Sequence, residues 1–192
     1  MMPLIIERPR SLALVGMPGA GKTLCAKYLE DRGYFQFRFG GIIEDEVVRR
    51  GLPVIPDNER IVREEFRANE GMDSIAKRAL PHLKTALESH TSIVIDGLYS
   101  FSEYKLLRKE LGADMVVVAI SCPRWLRYER LAARPIRPLT QEQAEERDWQ
   151  EIEKLEKGGP IAIADFTLVN GGSVEELLAS LDALMTTLSF QP

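Results

Sequence analysis

The chain has 192 residues, 45% of them hydrophobic, which is enough for one substantial core and too little for two large independent domains. A net charge of −4 excludes a global cationic field of the kind that recruits nucleic acid or an anionic membrane, so any anion specificity must be local. Cys25 and Cys122 are too few for a disulfide framework and lack metal-ligand spacing, so free thiols in a reducing compartment are expected.

The first residues, Met-Met-Pro-Leu-Ile-Ile-Glu-Arg-Pro-Arg, carry a short apolar stretch followed at once by charge, unlike a secretory signal. No run approaches membrane-spanning length. The expectation is a cytoplasmic protein with neither nucleic acid nor a membrane as partner.

An apolar strand over 11–16 runs into Gly16-Met17-Pro18-Gly19-Ala20-Gly21-Lys22-Thr23, which fits G-x-x-x-x-G-K-[ST] at every fixed position. This is a phosphate-binding loop. Its glycines let successive backbone N–H groups turn toward an anion, and the helix expected over 21–32 adds the positive end of its dipole. Lys22 can reach the β- and γ-phosphates of a nucleotide, and the Thr23 hydroxyl can ligate Mg²⁺. A second strand is expected at 34–39. About fifty residues follow before the third, far more than one crossover helix requires. They read as a helical insertion at about 41–90, with helices near 41–50, 57–69 and 72–89. Pro53 and Pro56 mark a loop there, and Gly71 a break.

The third strand, 92–96, ends in Asp96-Gly97. If that strand neighbours the first, the Asp96 carboxylate emerges beside the phosphate loop, as a metal organiser, as a base toward an acceptor hydroxyl, or simply as a turn cap. A fourth strand, 114–121, precedes a helix at 123–133. Then comes the stiff elbow Arg134-Pro-Ile-Arg-Pro138, followed by a polar helix at 140–156. Arg124, Arg127, Arg130, Arg134, Arg137 and Arg147 gather around this elbow. As a group they suggest a lid, at about 134–147, whose guanidinium groups close over phosphate, although pairing with nearby glutamates accounts equally for any single one. The last strand, 164–169, leads into Asn170-Gly171-Gly172, which either reads a base edge or merely turns into the final helix at 173–188. That helix opens with Ser173 three residues before Glu176, a capping-box spacing. Strands alternating with helices predict an α/β fold with a parallel sheet.

The stretches "REEFRANEGMDSIAKRALP", "VIDG" and "ADFTLVNGGS" carry a resemblance that spans roughly residues 10–188. The chain resembles the nucleoside monophosphate kinase and dephospho-CoA kinase group of P-loop proteins, and within it the archaeal adenylate-kinase-related UPF0200 family. The segment "RLAARPIRPLTQEQAEERDWQ" is similar to dephospho-CoA kinase lids. The resemblance implies a P-loop three-layer sandwich with sheet order 2-3-1-4-5. It implies ATP and Mg²⁺ as cofactors, with Gly16, Gly19, Ala20, Gly21, Lys22 and Thr23 on phosphate, and Thr23 and Asp96 at the metal. Arg130 and Arg134 would serve the lid, Asn170 and Gly171 would lie near adenine, and Arg67 and Arg78 would meet the acceptor.

Gly41 and Glu44 depart from the group's acidic and arginine positions, and Tyr99 stands where an arginine is frequent. Tyr99 is therefore counted with the acceptor-side residues. The expected activity is phosphoryl transfer from ATP to a nucleotide-like acceptor such as a nucleoside monophosphate or dephospho-CoA, by a monomer or weak homodimer. An ATPase or nucleotide-dependent switch working through a protein partner is the alternative. A non-enzymatic nucleotide-binding module is a third.

Overall fold

A computed structural model of the chain describes residues 9–135 and 138–192. Arg137, expected in the lid, lies outside the described residues. Five parallel strands form one sheet: β1 (Ser11–Val15), β2 (Phe35–Arg38), β3 (Ile93–Asp96), β4 (Met115–Ser121) and β5 (Phe166–Val169). Their spatial order is β2-β3-β1-β4-β5, as the resemblance implied. The central strands read as near-continuous apolar runs because both faces are covered. Leu12 and Leu14 point into one core with Val116, Val118 and Ile120, while Ala13 and Val15 join Val117 and Ala119 in the other. That period of two sends successive residues of a single strand to opposite layers.

The helices are α1 (Lys22–Glu30), α2 (Phe39–Arg49), α3 (Pro56–Glu70), α4 (Ser74–Ser89), α5 (Phe101–Leu111), α6 (Arg124–Ala132), α7 (Gln141–Glu153), α8 (Gly158–Ala162) and α9 (Val174–Thr187). Helices α1 and α9 cover one face of the sheet, through Cys25, Ala26, Leu29, Leu177 and Leu181. The opposite face is covered by α2 to α5. Three helices are closed at their N-termini by their own side chains, in capping boxes Ser100/Glu103, Thr140/Gln143 and Ser173/Glu176.

Two boundaries differ from the sequence reading. Helix α2 starts at Phe39, two residues earlier than expected and directly after β2, because Phe39 turns inward to pack in the core rather than continuing the strand. After α7 the chain makes a further short helix, α8, that periodicity alone did not reveal. Among the described residues, no helix is long and apolar enough to cross a membrane. Cys25 and Cys122 are both free thiols, and burial pushes the Cys25 thiol up to about 12.

Candidate nucleotide and acceptor site

The phosphate loop leaves β1 and enters α1. Unlike α5, α7 and α9, helix α1 has no side-chain cap and no acid in its first turn, so its leading amides and dipole are left to an anion. Gly19 (φ +80°) and Gly21 (φ +104°) hold the left-handed conformations that shape the loop. Packing behind them is close. A Cβ on Gly19 would stand 2.8 Å from the Arg127 carbonyl, and one on Gly21 2.3 Å from Asn170 Nδ2. The loop is thus seated from behind by two side chains. Asn170 Nδ2 donates to the Ala20 carbonyl at 2.8 Å. Arg127 Nη1 donates to the Pro18 carbonyl at 2.9 Å while also pairing with Asp148 on α7.

That placement bears on two expectations, and it corrects the one for Arg127. Arg127 is buried and fully engaged, so it is a strut between α6, α7 and the loop rather than a mobile lid group. Asn170 is buried behind the loop, and Gly171 packs near Pro123; neither lines the cavity in front of the loop. Arg130 lies between these settings. It donates to Asn170 Oδ1 at 3.2 Å and reaches the cavity.

The cavity, of about 460 Å³, is lined by the whole loop from Gly16 to Thr23 and by Arg63, Arg67, Tyr99, Arg130, Arg134, Arg147, Glu151 and Lys157. With Lys22, seven cationic side chains face it, against one carboxylate, Glu151, among the described residues. Their mutual repulsion is visible in the pKa directions. Burial and then the Arg147 charge lower Arg134, and burial lowers Arg67, with Arg63 adding to the effect against the attraction of Glu103. An anion would relieve this strain.

Lys22 Nζ lies 3.2 Å from Asp96 Oδ1, because β3 pairs beside β1 with Leu14 opposite Asp96. Burial disfavours the Lys22 ammonium, but Tyr99 and Asp96 outweigh it and hold its pKa above the ordinary lysine value. Gln36 Nε2 donates to the other Asp96 oxygen at 3.3 Å. Lys22, Thr23, Gln36, Asp96 and Tyr99 line a neighbouring recess of about 380 Å³. The Thr23 hydroxyl and the Asp96 carboxylate there fit Mg²⁺, a hard cation that keeps waters and phosphate oxygens as its remaining ligands. Among the described residues, no cluster of three or more His, Cys, Asp or Glu forms a protein-only metal cage.

Tyr99 is fixed by the N-terminus of α5. Glu103 Oε2 accepts hydrogen bonds from the Tyr99 N–H at 2.8 Å and the Ser100 N–H at 3.0 Å, and Ser100 Oγ accepts from the Glu103 N–H in return. Burial pushes the Glu103 carboxyl up, while those backbone donors pull it down. Its other oxygen lies 4.0 Å from Arg67 Nη2, and Glu103 Oε1, Arg67 Nε and Arg67 Nη2 are buried without hydrogen-bond partners. Arg67 also lines a second cavity of about 540 Å³ between α3 and α7, which shares Arg63, Arg147 and Glu151 with the first. Arg78 is not brought to either cavity. It pairs with Glu70 on the outer side, with its guanidinium 3.8 Å from the centre of the Phe66 ring. Glu44 pairs with Arg38 at 2.8 Å, and a side chain at Gly41 would meet nothing within 4 Å.

Sequence reasoning missed Lys157 and Glu151 altogether. The Ser100-x-x-Glu103 spacing was a readable capping signal for the helix that positions Tyr99.

A family model described as AAA domain (AAA_18) matches residues 12–163. The UPF0200 protein of Thermococcus kodakarensis is 37% identical over 175 residues, which span 90% of this chain and 94% of that one. The chain belongs to the UPF0200 family. A UPF0200/UPF0201 protein of Archaeoglobus fulgidus is 32% identical over 185 residues, and there the match covers 93% of this chain but only 55% of the longer relative. Among solved structures, TT1252 of Thermus thermophilus superposes with a TM-score of 0.63 at 21% identity, covering 95% of this UPF0200 chain and 99% of its own. Shikimate kinase of Acinetobacter baumannii gives 0.55 at 22% identity (96% of both chains), and a gluconokinase of Sinorhizobium meliloti gives 0.54 at 19% (95% and 97%). The UPF0200 chain therefore has a P-loop kinase-like fold.

Proposed function

We propose that the protein is an ATP- and Mg²⁺-dependent phosphotransferase acting on a small, nucleotide-like acceptor such as a nucleoside monophosphate or dephospho-CoA. The observation that carries this reading is the cavity before the phosphate loop, faced among the described residues by seven cations and one carboxylate and sharing Arg63, Arg67, Arg147 and Glu151 with a second cavity between α3 and α7. A hydrolase of free nucleotide needs room for a triphosphate and a water. Two neighbouring cavities offer room for a donor and an acceptor.

In this reading the loop amides and Lys22 grip the β- and γ-phosphates, so most of the catalysis is positioning and charge neutralisation. Thr23 and Asp96 would hold Mg²⁺, which would supply further neutralisation of phosphate oxygens. Arg130 and Arg134 approach from the α6 side, the latter from the segment proposed as a lid, and counter charge on the transferring group. In this reading Asp96, beside Lys22 at 3.2 Å, accepts a proton from, or orients, the attacking acceptor group. Arg67, with two unsatisfied nitrogens beside both cavities, is the acceptor-side cation, and Tyr99 forms the wall between acceptor and loop. The α2–α4 segment is the acceptor lobe, and a cytoplasmic location supplies the nucleotide.

The test is incubation with ATP and Mg²⁺ against a panel of nucleoside monophosphates, dephospho-CoA and hydroxyl-bearing nucleosides, followed by detection of the phosphorylated product. Transfer to one acceptor class is expected, and its loss in Lys22→Ala. ATP binding without transfer to any of them, with turnover appearing only on adding a protein partner, would replace this reading with a nucleotide-dependent switch. The exposed Trp125 and Trp149 on α6 and α7 favour that second reading.

A further inference from the structure

Lys157 lies outside every motif named above. It immediately precedes α8 and is only 3% exposed, yet its side chain reaches the phosphate-loop cavity. Its backbone is anchored to the body of the fold. A Cβ at Gly159, two residues on, would stand 2.7 Å from the Phe101 ring, so α8 lies directly against α5. Glu156, just before it, accepts hydrogen bonds from the Ser102 N–H at 3.2 Å and its hydroxyl at 3.0 Å. The ammonium stands 4.7 Å from the centre of the Tyr99 ring, and Lys22 Nζ stands 5.8 Å from the same centre. Two lysines, one from each end of the chain's core, thus converge on one aromatic wall of the cavity.

The anionic partner of Lys157 is Glu151, whose carboxylate accepts a hydrogen bond from the ammonium and also faces Arg147 at 3.6 Å. Burial lowers the Lys157 pKa, the Glu151 carboxylate works against this, and the Lys22 and Arg147 charges add to the lowering. The Lys157 N–H donates to the Glu151 carbonyl at 3.0 Å, so the two backbones are held together at the end of α7 and against α5 through α8, and only the side-chain pair is free to part. A buried carboxylate in a cavity otherwise faced by cations occupies the place that a phosphate oxygen would take.

We propose that Lys157 is a second polyphosphate-contacting lysine and that Glu151 holds its place until the ligand arrives. On binding, phosphate oxygens replace the Glu151 carboxylate as acceptors of the Lys157 N–H donors, and the like charges of ligand and Glu151 move that carboxylate aside. The proposal rests on the nucleotide-binding part of the reading above and is independent of the acceptor.

Calorimetry with two probes, ATP·Mg²⁺ and inorganic tripolyphosphate, tests it on the intact chain. Losing one charge-assisted phosphate contact should weaken both probes in Lys157→Met by about 10- to 100-fold, while Lys157→Arg keeps most of the affinity. Removing the competing carboxylate in Glu151→Gln should tighten both probes several-fold. If the pair is only a structural strut, both substitutions lower the melting temperature and Glu151→Gln leaves affinity unchanged or lower, and that result overturns the proposal. Should Lys157→Met fail to fold, the sign of the Glu151→Gln change decides alone. The expected binding pattern without transfer to any acceptor would defeat the kinase reading and leave Lys157's role standing. Unchanged affinity in the variants of an active kinase would do the reverse, and a wild-type chain that binds neither probe would overturn both.

Discussion

Two buried arginines, Arg127 and Arg67, show how differently the two sides of the site are built. Arg127 spends its guanidinium on Asp148 and the Pro18 carbonyl, and so locks the phosphate loop against α6 and α7. Arg67 is buried to a similar degree, but two of its nitrogens lack a partner and its nearest carboxylate is 4.0 Å away. A buried cation without hydrogen bonds is costly, and it persists where a ligand is to complete it. On the loop side the bracing from behind is finished, and only the amides and cations that face the cavity are left for an anion. The α3/α7 side is incomplete without one.

The largest expected effect lies on the loop side. Lys22→Ala should lower ATP turnover by about 10³-fold or more, since it removes a cation aimed at the transferring group, with little change in melting temperature. Steady-state kinetics beside thermal melts will check it, and retained turnover would deny Lys22 that role.

The arginine pair gives the sharpest contrast. Arg127→Met leaves Asp148 buried and unpaired, at a cost of about 3 kcal/mol, or on the order of 6–12 °C in Tm for a chain of this size. Arg67→Met should cost less than a third of that while raising the KM for the acceptor at least about 10-fold, as expected for a lost ionic hydrogen bond. Equal melting shifts for the two variants would erase the distinction between strut and ligand site.

Away from the site, Ser173→Ala should cost about 1 kcal/mol by opening the α9 capping box, as read from chemical denaturation. The smallest effect concerns Glu46, whose carboxyl is held down to about 2 by hydrogen bonds from Arg49 and Arg50. A depressed pKa stabilises above the unfolded value of about 4.3, and the contribution fades as pH falls toward 2. Glu46→Gln should therefore be less stable than the parent at pH 7, by under about 1 kcal/mol, and equal to it near pH 2. A gap that persists at pH 2 would assign the effect to packing instead.

The parts of this site visible in the sequence are those whose chemistry is local. Gly16 to Thr23 is a fixed spacing within one turn, and Asp96 follows from strand ends and neighbouring order. Phe39 was misjudged because alternation cannot tell a strand's last residue from a helix's first when both are buried. The resemblance put Asn170 near adenine, but it did not show that the Asn170 amide also supports the Ala20 carbonyl from behind, a contact across 150 positions that no local pattern encodes. Lys157 was invisible for a related reason. Glu-Lys-Gly-Gly-Pro reads as an exposed helix end, and only the packing of Gly159 on Phe101 turns the lysine inward. Arg67 and Arg78 carried the same implied acceptor role in the sequence, and only tertiary packing separates them, bringing Arg67 to the cavities and leaving Arg78 against Glu70.

The account rests on the phosphate loop holding a nucleoside triphosphate. Titration calorimetry of the wild-type chain with ATP and with GTP in the presence of Mg²⁺ measures this directly. Saturable, roughly one-to-one binding of a purine triphosphate, weakened sharply by Lys22→Ala, is the predicted result, and the absence of heat from either nucleotide would contradict it.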